Sequence, residues 1–146
     1  MRWTVLLVAL VAAASAQPAP SDLDSLVVRV DRLRIETGLA ADRVFSAEAG
    51  PGSEALTDAV SAYLVALGDL HEWLFAASVL TCDDDRRTIA GLAALRYAPV
   101  LGLGDDLVAA VQAREPTSEG ARTELDALVA LVRRFYADTE PLIGAP

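Results

Sequence analysis

His71 is the only histidine in this chain of 146 residues, and with Glu72 beside it it is the first place to look for chemistry. A zinc-peptidase helix carries two imidazoles four residues apart, so that both reach one metal, with a glutamate next to the first to activate water. The position four residues after His71 is Phe75, so the second ligand is missing. Di-iron bundles repeat a Glu-x-x-His pair on two helices, which one histidine cannot supply. Covalent haem needs Cys-x-x-Cys-His, and the chain has a single cysteine, Cys82. A His–Met haem needs a methionine, and the only one is Met1. A five-coordinate haem on His71 is the one haem arrangement these counts leave open. We therefore expect no cofactor and no metal.

Cys82 and His71 fall on the same side of one helix, but eleven residues set them about 16 Å apart. That is too far for a shared metal ion or a thiolate–imidazolium pair. Asp83-Asp84-Asp85 follow directly, and their negative charge disfavours a reactive thiolate. Cys82 then reads as a half-buried helix-end residue, or as one half of an intermolecular disulfide. The three aspartates lack the alternating ligands, central glycine and closing glutamate of an EF-hand loop. With Arg86-Arg87 next, they suit a helix start better. No phosphate-binding loop, nucleophile elbow or catalytically spaced acid pair is present, and no enzymatic activity is inferred. Arg29, Arg32, Arg34 and Arg43 alternate with acids and read as a solvated face.

These residues must be positioned by helices. Leu23, Leu26, Val30, Leu33, Thr37, Ala40 and Val44 recur at spacings of three and four, the signature of one helical stripe. The first helix is expected over 22–48, opened by Ser21-Asp22-Leu23-Asp24 and stopped by Gly50-Pro51. Leu56, Val60, Tyr63, Leu67, Leu70 and Leu74 form a second stripe on a helix over 53–81. Ile89, Leu92, Ala93 and Leu95 give the third an apolar side before Pro99, Gly102 and Gly104 interrupt. It is expected to be kinked, or split into 84–98 and 105–114 with Leu107, Val108 and Val111 inward. The fourth starts at Thr117 or Ser118, carries Leu125, Leu128, Val132 and Phe135 with Leu131 and Tyr136 beside them, and is closed by Pro141. Nothing reads as a strand. Short loops make the helices antiparallel neighbours, so the fold class is all-α, an up-down-up-down four-helix bundle with the third helix kinked or split near Pro99–Gly104.

The leading residues are an address. Arg2, the uncharged run Val5–Ala14 and the small-x-small triplet Ala14-Ser15-Ala16 form a secretory signal peptide. Its apolar run is shorter than the ~20 residues a membrane span needs. The expected organisation is a signal peptide over 1–16, a Pro-rich leader over 17–21, one bundle domain over 22–140 and a tail over 141–146. The mature chain is expected to be exported, periplasmic or secreted, with no transmembrane segment. Cleavage removes Arg2 and takes the formal charge from −9 to −10. Such a surface repels nucleic acid and anionic headgroups. One cysteine offers no internal staple, so packing must hold the core.

The second helix is apolar beyond the needs of its stripe. Trp73 and Phe75 flank Leu74 by about 100° on either side, so one neighbouring face is not expected to cover both. Trp73, Phe75, His71 and Cys82 are thus the candidate contacts for a protein partner or for self-association as a homodimer. The expected function is an interaction or binding module. The alternative is a carrier holding a small apolar ligand or non-covalent cofactor in a pocket between helices, near the third-helix kink.

Overall fold

Seven residues of the first helix and six of the second, chosen by spacing alone, are the ones that turn inward. In a computed structural model describing residues 20–48, 53–79 and 83–143, the elements are α1 (Pro20–Ala47), α2 (Ser53–Val79), α3 (Asp83–Gln112) and α4 (Glu119–Ile143). The whole stripe from Leu23 to Val44 is buried on α1, and that from Leu56 to Leu74 on α2. On α4, Leu125, Leu128, Val132 and Phe135 are buried, with Leu131 and Tyr136 packed partly against them. Each Leu or Val side chain fully withdrawn from water contributes about 1.5–3 kcal/mol. No strand occurs among the described residues.

Cross-helix contacts fix the directions. Arg43 late in α1 meets Glu124 early in α4, while Arg29 early in α1 reaches the carbonyl of Asp138 late in α4. Tyr97 pairs with Thr139, and Tyr136 with Val100, so α3 and α4 are also antiparallel. Arg96 of α3 lies over Trp73 of α2. Each helix therefore packs against its two sequence or ring neighbours, with α1 opposite α3 and α2 opposite α4. This is the up-down-up-down bundle.

The third helix differs from one of its two expected forms. It is helical without a break from Asp83 to Gln112, through Pro99, Gly102 and Gly104, so it is not split. Its buried stripe is Tyr97, Val100, Gly104, Leu107 and Val111, again at spacings of three and four. Leu92 and Leu95, expected inside, are exposed, because five residues before Tyr97 and Val100 respectively is the far side of the helix. Val108 is half-buried as a flank; Ile89 and Ala93 lie outside the described side chains. Helix α4 also passes its expected stop, continuing through Pro141 to Ile143. Pro141 has no N–H to bond back to the Ala137 carbonyl, so one helix bond is lost there, and the helix ends two residues later. At its start, Ser118 Oγ accepts the Ala121 N–H at 3.0 Å and caps the helix.

Candidate functional site

The outward side of α1 is apolar as well as the inward side. Ile35 stands two residues past the buried Leu33, about 200° around the helix, and Val28 and Leu39 fall on the same line. Their exposures are 67%, 52% and 55% for Val28, Ile35 and Leu39. Opposite them α2 contributes Leu64, His71 and Phe75. Two adjoining depressions of about 400 and 460 Å³ share Ile35, one reaching Leu39 and Leu64, the other Val28, His71 and Phe75. They form one groove along the α1–α2 face. His71 stacks on Phe75 with ring centroids 6.2 Å apart and planes 20° apart. The side chains bordering the groove are paired locally, Arg32 with Glu36 at 2.7 Å and Arg34 with Asp31 at 3.0 Å. Exposed pairs of this kind contribute little to stability.

The two aromatics do point to opposite flanks. Trp73 turns toward α3, half-buried, with the Arg96 guanidinium 4.9 Å from its ring centre. Phe75 turns toward α1 and stays 53% exposed. So the structure brings His71 and Phe75 together and separates Trp73 from them. Cys82 lies outside the described residues, as do the signal peptide and residues 17–19 of the Pro-rich leader; Pro20 and Ser21 belong to α1. Among the described residues, no three His, Cys, Asp or Glu side chains are grouped to hold a metal ion.

No family model, curated protein or solved structure matches this chain. Its own geometry has to carry any functional reading.

Two polar centres inside the bundle were not anticipated. In the first, Tyr97 Oη and Thr139 Oγ1 are 2.6 Å apart, and Thr139 also donates to the Phe135 carbonyl at 2.7 Å. Tyr136 Oη donates to the carbonyls of Val100 and Leu101, at 3.3 and 3.0 Å, across to α3. It fits because Gly104 has no side chain: a Cβ there would collide with the Tyr136 hydroxyl and lie 3.1 Å from the Tyr63 ring. Tyr63 is fully buried, with its hydroxyl beside that of Tyr136. Burial is the main cause that pushes all three phenols above the ordinary tyrosine range. They stay neutral at physiological pH. The space beside Gly104 is filled by Tyr63 and Tyr136.

The second centre ties the far end of the bundle. Glu48, just past α1, is buried and accepts from Arg114 at 2.7 Å and from the Thr117 N–H at 3.2 Å. The Arg114 hydrogen bond lowers the Glu48 carboxyl below its ordinary value; burial opposes this, and the Thr117 bond and the arginine's charge reinforce it. Both centres bond one helix or loop to another. The only sequence signal for them was the aromatic residues themselves; Glu48 and Arg114 are too far apart in sequence to suggest a pair.

Proposed function

We propose that this chain is exported by its signal peptide and acts, after cleavage, as a helical interaction module that self-associates through the α1–α2 face. The observation that carries the reading is the exposed line Val28, Ile35 and Leu39 with Phe75 beside it. Apolar side chains grouped on one face, rather than scattered, are what an interaction site presents. Charge supports a second copy as the occupant. Around the helix, Asp31 and Asp42 flank the line on the α2 side, and Arg32 and Arg43, paired within the chain to Glu36 and Glu124, on the α4 side. A two-fold axis running along α1 sets each acid flank against the arginine flank of the other copy. In this reading α3 bends at Pro99, where a backbone bond is lost, and no catalytic activity is involved.

Sedimentation of the mature chain over a range of concentrations tests this, alongside Ile35→Glu and Phe75→Ser. Both positions are exposed, so the variants should fold with unchanged helical circular dichroism and sediment as monomers where the wild type dimerises. A wild type that remains monomeric at high micromolar concentration overturns the reading. Trp73→Ala is the control: with Trp73 covered by Arg96 within one chain, it should lower the melting temperature and leave assembly alone.

A further inference from the structure

The opposite side of the bundle carries a cleft of different character. Between the end of α3 and the first half of α4, a depression of about 390 Å³ is floored by Val111, Leu125 and Val129 and bordered by Arg114, Arg122 and Arg133. That volume lies in the range of small-molecule sites. Helix α4 builds most of it, since Arg122, Leu125, Asp126, Val129 and Arg133 fall on one face over three turns.

What distinguishes the cleft is the state of its arginines. Arg29, Arg32, Arg34, Arg43, Arg114 and Arg134 each have an oxygen partner, and Arg96 lies on the Trp73 ring. Arg122 and Arg133 are the two described guanidinium groups with neither, and both line this one cleft. In a chain with 21 acids and 12 basic residues, free guanidinium groups are the scarcer resource. Arg114 adds a buried Nε–H with no acceptor, at the loop end where Arg122 also stands. Its charge is already matched by Glu48. Asp126 sits between the two free arginines, so the unmatched charge is a single positive one.

We infer that this cleft binds an anionic amphiphile: a molecule with one acid group for the Arg122–Arg114 end and an apolar body lying on Val111, Leu125 and Val129. Guanidinium groups match carboxylate and phosphate oxygens in bidentate fashion, and the apolar floor supplies the rest. The site is on the face away from the α1–α2 groove and does not depend on self-association.

Calorimetric titration of the mature chain with decanoate, decyl phosphate and decanol tests it, in dilute buffer and again in high salt. Decanoate or decyl phosphate should bind saturably, roughly tenfold or more tightly than decanol, and more weakly in salt; which of the two binds better identifies a carboxylic or a phosphoric head group. The exposed double substitution R122Q/R133Q should keep the wild-type circular dichroism spectrum and lose that advantage over decanol. I35E, on the other face, should bind as wild type does. Equal affinity for decanol, retention of acid binding in R122Q/R133Q, or no heat with either acid overturns the inference.

Discussion

Thr37 of α1 and Thr139 of α4 are both fully buried, yet their hydroxyls live differently. Thr139 is bonded to Tyr97 and to the Phe135 carbonyl, whereas Thr37 Oγ1 has no partner. The contrast extends to the walls they belong to. Between α3 and α4, polar bonds cross the interior: Tyr97 to Thr139, and Tyr136 to two α3 carbonyls. On α1 and α2 the described buried side chains are apolar apart from Thr37 and the Tyr63 hydroxyl. A wall held by directional bonds fixes a register, because each donor meets a particular acceptor. A wall held by apolar burial fixes only which side faces in, and here it has apolar surface to spare on the outside as well.

The comparison can be broken most severely at Arg114. Arg114→Ala leaves the buried Glu48 carboxylate with the Thr117 N–H alone and should cost about 3–5 kcal/mol in urea unfolding. It also predicts a pH dependence. Glu48 is held below its ordinary value, so its contribution to wild-type stability is complete above about pH 4.5. It is lost as pH falls through the lower folded-state value. In the variant burial dominates and that acid-side loss should vanish. An unchanged profile would show that the pair does not govern this end of the bundle.

Next in size is a pair of glycines two residues apart, on opposite sides of α3. Gly104→Ala would drive a methyl into the Tyr136 hydroxyl, at a cost of about 2–3 kcal/mol even after the gain in helix propensity. Gly102 has open space around it, so Gly102→Ala should instead stabilise by about 1 kcal/mol. If the two substitutions shift the urea midpoint in the same direction, the polar wall is looser than described.

The smallest effect sharpens the opening contrast. Thr139→Val strands the Tyr97 hydroxyl and should cost about 1–3 kcal/mol. Thr37→Val removes a hydroxyl that was never satisfied and should be neutral or stabilise by about 1 kcal/mol. Thermal melts of the two variants should move in opposite directions, and two equal losses would mean that Thr37 has an acceptor.

The same asymmetry governed how much the sequence could say. The stripes of α1, α2 and α4 were legible because Leu and Val recur at helical spacing and the partner helix needs nothing more specific. The α3 stripe was not, because one of its layers is Gly104, whose space is filled by a tyrosine from α4. Apolarity pointed instead to Leu92 and Leu95, which face out. Of the candidate contacts, His71 and Phe75 lie four residues apart and could be placed on one face; that Arg96 would take Trp73 depended on a neighbour 23 positions on. The free arginines of the α4 cleft left a faint signal in the line Arg122, Leu125, Val129 and Arg133. Their lack of partners could be learned only from three dimensions.

The contact between Gly104 and Tyr136 has a consequence for inheritance. The two positions cannot drift independently: a lineage that acquires any side chain at 104 must first, or at once, give up the tyrosine at 136, and one that keeps the tyrosine has only glycine available. Descendants of this chain that keep tyrosine at 136 should therefore keep glycine at 104, whereas glycine at 104 does not require the tyrosine.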